Sequence, residues 1–206
     1  MPKSPRRAPA REQRRLDPER SRAALLEAAR IEFAAKGYAG ARVAEIAERA
    51  GLNSQLITYY FGGKAGLYQE LQRQWLVAES RFADTSLPLA ELTVRYLQEE
   101  LRDSSWARLA LWSGLAEDAS PPSPLDQEDL SDLQRRQREG EIAPELDPAA
   151  VLLILIGAVS APIALPDQAR RITGMDPESP EFAEHYAEQL RRVILRLGVA
   201  PADDDD

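Results

Sequence analysis

The chain has no cysteine and a single histidine, His185, among its 206 residues. The first absence excludes disulfides, thiolate metal sites and a thiol nucleophile. The second excludes multi-histidine metal sites and leaves little for histidine-based acid–base chemistry. No glycine-rich phosphate loop and no metal-ligand spacing occurs in the sequence. Long hydrophobic runs are scarce as well. The most apolar window, AAVLLILIGAVSAPIAL at 149–165, is uncharged, and Pro162 and Pro166 interrupt its end. It falls short of the ~20 residues a transmembrane helix needs, so it reads as a buried or interface helix. No apolar stretch of the signal-peptide kind follows the basic N-terminus. The expectation is a protein without catalytic residues, metal or cofactor, not membrane-bound, in a reducing, cytoplasmic compartment.

The charge that is present is unevenly placed. Net charge is −8, but residues 1–77 hold 14 Lys and Arg against 8 Asp and Glu, and the remainder is correspondingly acidic. A basic end on an acidic protein points to a polyanionic partner for that end alone. Its first 16 residues, MPKSPRRAPAREQRRL, are too poor in apolar side chains to bury a core and predict a disordered basic arm. Its Arg6, Arg7, Arg11, Arg14 and Arg15 suit a nucleic-acid groove or backbone.

Beyond the arm the pattern is helical throughout, with no strand-like alternation. Asp17-Pro18 is a helix start, Leu25, Leu26, Ala28, Ala29 and Phe33 form an apolar stripe, and Gly37 is a natural stop. Further helices are expected over 43–50, 54–61, 64 to the low eighties, 88–103, 105–117 and 126–139. SPPSP at 120–124 is a rigid break, and DQEDLSDL at 126–133 reads as a solvated helix face. Another helix starts at Asp147-Pro148 and is kinked or restarted at Pro166; the last runs from SPEF, 179–182, to Gly198. PADDDD, 201–206, is an acidic tail.

Two of these elements form a helix-turn-helix signature: VAEIAERA at 43–50, a GLN turn, then SQLITYYF at 54–61. Gly51 permits the turn, and Ile46, Ala47, Leu52 and Ile57 pack the pair. Asn53 is positioned to cap the second helix. As a recognition helix, it offers Ser54 and Gln55 at its N-terminus, Gln55 being able to bond adenine through two hydrogen bonds. Leu56 and Thr58 offer methyl groups to thymine; Tyr59, Tyr60 and Lys64 reach phosphates. Ile57 and Phe61 face the core. A helical small-molecule- or lipid-binding module, or a nonspecific DNA-binding protein without an operator, remain the alternatives.

Over about fifty residues the chain resembles the DNA-binding domain of the TetR family of bacterial transcriptional regulators. The matching pieces are LLEAARIEFAAKGY (25–38), VAEIAERAGL (43–52) and LITYYFGGKAGLY (56–68), in order and without a gap. The resemblance implies an all-α homodimer with a helix-turn-helix DNA-binding domain over 17–63 and a helical effector-binding and dimerisation domain over 64–200. It implies a ligand-responsive repressor of a near-palindromic double-stranded DNA operator, with an unidentified small-molecule effector. Where the family usually has Ser or Thr capping its second helix this chain has Arg42, a direct phosphate contact. Gln55-Leu56 stands where the family often has Gly-Thr, so operator preference is not transferable. Trp75, Tyr96, Trp106, Trp112, Phe182 and Tyr186 are candidates for the effector pocket. Ile156, Val159, Ile163, Val193, Ile194 and Leu197 are candidates for the dimer interface. Arg108 and His185 read as surface residues.

Overall fold

A computed structural model describes residues 17–115, 121 and 127–198. The basic arm, the acidic tail and most of the SPPSP break lie outside the described residues. Those described form ten α-helices and no strand.

Helix α1 (Pro18–Gly40) begins where Asp17 accepts the Glu19 backbone N–H at 3.1 Å. Its regular course ends as expected at Gly37, whose φ of 69° lies in the left-handed region. α2 (Val43–Ala50) and α3 (Gln55–Phe61) follow, separated by the left-handed Gly51 at φ 65°. Then comes α4 (Lys64–Glu79), which stops short of the low eighties. Leu25, Phe33, Ile46, Ile57, Leu67 and Leu71 are buried in one core that joins these four helices. Leu109, from a later helix, closes it. The first half of α4 therefore packs with the helix-turn-helix, across the expected boundary at residue 63.

A second core is built from α5 (Leu89–Arg102), α7 (Ser131–Arg138), α8 (Pro148–Ala164) and α10 (Pro180–Ile194). α6 (Ser105–Leu115) lies against α1 and α8 and so touches both cores. α9 (Pro166–Thr173) restarts at Pro166 after a 90° bend, as the proline at a first helical position favours. No single described helix is long and apolar enough to cross a membrane.

Two expectations are corrected here. The helix expected over 126–139 spans Ser131–Arg138, and the 126–133 stretch is not a freely solvated face, since Leu133 points inward, as does Arg136 beyond it. Arg136 is completely buried, bonded to Asp132 Oδ2 at 2.7 Å, Glu141 Oε1 at 3.0 Å and the Thr85 carbonyl at 3.0 Å. Glu141 also accepts the Leu89 N–H at 2.5 Å, which anchors the start of α5. The last helix ends at Ile194, not Gly198, because the chain turns there and the Leu197 carbonyl accepts the Ala143 N–H at 2.7 Å.

Candidate nucleic-acid interface

The turn between α2 and α3 is set by local chemistry. Gly51 donates its N–H back to α2, and Asn53 Oδ1 accepts the Gln55 N–H at 2.8 Å, so Asn53 caps α3 as its sequence position suggests. Ser54 already has helical backbone angles and makes no cap bond of its own. Ile57 is fully buried and fixes the inner face of α3. The outer face presents Ser54, Gln55 and Thr58 to solvent, with Tyr59 the most open at 79 % exposure. Leu56, Tyr60 and Phe61 are half-buried against the core, so Leu56 is less available to a base than its pattern indicates, and Phe61 is not a fully buried anchor. The Phe61 ring instead carries the Arg22 guanidinium, 5.2 Å from its centroid.

Arg42 sits exposed at the start of α2 and makes no side-chain cap bond. Lys64 opens α4 at the foot of α3. Its ammonium lies 4.6 Å from the Tyr38 ring centroid and 3.4 Å from the Ala39 carbonyl, and burial lowers its pKa. A phosphate at that point would compensate the desolvated charge.

Two features that hold this surface were not apparent in the pattern. Glu32 is a buried carboxylate on α1 that accepts Arg49 Nε of α2 at 2.8 Å and pairs with Lys36 at 2.7 Å. Hydrogen bonds from Lys36 and Arg49 hold its pKa below the usual carboxylate value. Gly66 lies so close to the end of α3 that a Cβ there would stand 1.8 Å from the Phe61 carbonyl oxygen. A charged residue inside an apolar stripe and a glycine inside a helix are the signals for these two, but neither shows its partner.

The family model for bacterial regulatory proteins of the tetR family matches residues 25–71, and a Tetracyclin repressor-like C-terminal domain model matches residues 88–193. The chain belongs to the TetR family. The HTH-type transcriptional repressor SCO4008 of Streptomyces coelicolor is 29 % identical over 195 residues, covering 87 % of this chain and 98 % of that one. The HTH-type transcriptional regulator RutR of Escherichia coli strain K12 is 28 % identical over 197 residues, covering 86 % and 90 %. In three dimensions the chain is similar to SCO4942 from Streptomyces coelicolor, with a TM-score of 0.70 at 23 % identity, covering 88 % of this chain and 99 % of that one. It is also similar to a γ-butyrolactone receptor, with a TM-score of 0.58 at 21 % identity and 87 % and 98 % coverage. This TetR-family protein is thus a helix-turn-helix transcriptional regulator and not an enzyme.

Its C-terminal helices enclose a cavity of about 550 Å³ between α4, α5, α6, α7 and α8. Trp75, Tyr96 and Trp106 line it, with the Trp75 and Trp106 rings 5.6 Å apart. Trp112, Phe182 and Tyr186 do not. The Trp112 indole donates to the Ala34 carbonyl at 3.2 Å and covers Gly37, tying α6 to α1. Phe182 is buried and stacked on Tyr186, whose hydroxyl donates to the Ala158 carbonyl at 2.8 Å; the pair locks α10 to α8. Sequence pattern also missed Glu100 and Ser160, both on the cavity wall, because a lone acidic residue on a mixed helix face gives no sign of burial. Arg108 and His185 are exposed.

The interface candidates divide. Val159 and Ile194 are corrected to the chain's own core, and Leu197 packs against that core. Ile156 is half-exposed on the cavity wall. Ile163 is half-buried, and Val193 is exposed at 60 %. Leu153 and Ile154 on α8 are missing from the expected set, yet are exposed at 71 % and 65 %. The reason is rotational: a helix apolar on all sides does not reveal in its sequence which face turns inward.

Proposed function

We propose that the protein is a ligand-responsive repressor that binds a near-palindromic operator as a homodimer and acts in the cytoplasm. The observation that carries this reading is the presentation of α3, capped, rigidly packed and with its polar face open. Ser54, Gln55, Thr58 and Tyr59 address the major groove, with Leu56 supplying its outer methyls. Arg42, Tyr60 and Lys64 hold the phosphates on either side. The basic arm adds salt-dependent affinity. Residues 17–63, together with the start of α4, act as the DNA-reading unit, and the helices beyond it bind effector and partner.

Dimerisation uses the exposed apolar stripe of α8 with α10: Leu153, Ile154 and Val193, with Ile163 at the edge. Aliphatic side chains this open on two helices of one core support burial against a second copy in a four-helix bundle. Leu153→Asp is expected to give monomers by light scattering and to lose operator affinity by about two decades, since a monomer engages one half-site only. A dimer of unchanged affinity would remove this face from the interface.

In vitro selection of binding sites tests the function directly. It is expected to return an inverted repeat with half-site centres roughly 10 bp or slightly more apart. Selection that returns no preferred sequence would overturn the operator reading in favour of nonspecific binding. Gln55→Ala in the same selection should relax preference at one or two positions in each half-site, corresponding to about 1–3 kcal/mol of discrimination. An unchanged profile would remove Gln55 from the reading residues.

A further inference from the structure

The charged lining of the cavity has one sign. Glu79, Glu100, Glu128, Asp129 and Asp132 face it, and among the described residues no Lys, Arg or His does. Three of these carboxylates have partners: Asp132 is paired with Arg135 and Arg136, Glu79 accepts the Tyr96 hydroxyl at 2.8 Å, and Asp129 caps α7 by accepting the Ser131 N–H at 2.9 Å. Glu100, on α5, is different. Its hydrogen-bond partner among the described residues is the Ser160 hydroxyl of α8 at 3.2 Å, with no cation beside it. Burial pushes its carboxyl up to about 7. Gln72 Oε1, also in the cavity lining, is buried and without a hydrogen-bond partner, a second electron-rich atom left over. Trp75 and Trp106 add two aromatic surfaces to the same enclosure.

An anionic ligand would enter this space against five carboxylates with no basic side chain among the described lining residues to receive it. A neutral one would leave Glu100 either protonated or carrying an uncompensated charge, and would gain nothing from it. A cation with an apolar body removes that cost, and indole rings attract it further. We propose that the cavity binds a lipophilic organic cation, an ammonium or phosphonium with aromatic or alkyl substituents, with Glu100 as its counter-ion and Trp75 and Trp106 as its aromatic walls. This rests on the reading of the cavity as the effector site and adds the charge class of the effector.

Other groups that titrate at the cavity do not reverse the sign of its response. α4 contributes Tyr68 and Glu79, α5 contributes Tyr96 beside Glu100, and the segment leading into and including α7 contributes Glu128, Asp129 and Asp132. The α6 and α8 lining has no titratable side chain. Protonation of Glu100 therefore weakens cation binding, and acidification can only reduce the negative charge elsewhere.

The test uses the full-length protein and three molecules of closely similar shape: methyltriphenylphosphonium, methyltriphenylborate and neutral triphenylphosphine oxide, followed by calorimetry and tryptophan fluorescence. The phosphonium is expected to bind at least about tenfold tighter than the neutral analogue, and the borate not at all. Glu100→Gln, or a shift from about pH 8 to about pH 6, should erase most of the preference for the cation over the neutral analogue. Equal or tighter binding of the neutral or anionic analogue would overturn the charge assignment and leave the effector-site reading standing. No phosphonium binding would also overturn the assignment. Phosphonium binding that persists unchanged in the cavity-filling Ala110→Trp would put the site elsewhere and overturn both.

Discussion

Gly66→Ala is expected to lower operator affinity by about two decades or more, measured by fluorescence anisotropy on a selected site. The added Cβ would sit 1.8 Å from the Phe61 carbonyl oxygen, a backbone atom with no rotamer into which it can retreat. Either the C-terminal end of α3 or the first turn of α4 must move by an ångström or more. α3 carries the residues that read bases, and Lys64 stands two positions before the substitution. Each good paired contact to a base contributes about 1–3 kcal/mol of discrimination, and two half-sites are affected together. Helix propensity pushes the other way: alanine in place of glycine within a helix stabilises by roughly 1 kcal/mol. Sterics and propensity therefore predict opposite signs, and wild-type affinity with a raised melting temperature would show the contact to be soft. Gly62→Asn provides the contrast. Gly62 has φ 72° and open space around a Cβ, a position asparagine tolerates, so the expected loss is small.

Arg136→Ala is expected to destabilise the protein by about 3–5 kcal/mol in urea denaturation, a large fraction of the total stability of a typical domain. The guanidinium is fully buried and holds Asp132, Glu141 and the Thr85 carbonyl at once. Removing it leaves Glu141 without its cation and Asp132 with Arg135 alone, and takes a large side chain out of the packing around α7. Glu141 then loses its positioning partner while still bound to the N–H that starts α5. Replacing the whole cluster should be milder than breaking it: Arg136→Met combined with Asp132→Asn and Glu141→Gln should recover at least half of the loss. A single-site loss below about 1 kcal/mol would mean that water satisfies the stranded carboxylates and that the cluster is not an anchor.

The sequence was most informative where local chemistry decides the outcome. Asp17-Pro18, Asn53 and Gly51 each act within a few residues of themselves, and the helix start, the α3 cap and the turn lie where those residues stand. The three matching pieces between Leu25 and Tyr68, in order and without a gap, made the DNA-binding domain recognisable, and the family model spans 25–71. Features joining distant segments were much less legible. Arg136 reads as one more charge in a polar helix, since its burial depends on Thr85 and Glu141 arriving from elsewhere. Val159 and Ile194 were indistinguishable from Leu153 and Val193, because all four are aliphatic and only the packing of α5 decides which pair faces inward. Trp112 has the composition of a cavity wall, but α1 passes close enough to claim it.

Helix α4 has its first turns in the same core as the recognition helix, and its later residues Gln72, Trp75 and Glu79 in the cavity wall. It is therefore a lever with one arm in each compartment. Sixteen residues make a rod about 24 Å long. A tilt of about 5° at the cavity end would sweep the other end through roughly 2 Å, and the close approach of Gly66 to the Phe61 carbonyl would pass that movement to α3. In a two-fold assembly the sweep counts twice, changing the span between reading heads by up to roughly 4 Å against a helical repeat of about 34 Å. In the proposed dimer, the close approach at one glycine would gear a ligand-sized event in one half of the molecule to the pitch of DNA at the other.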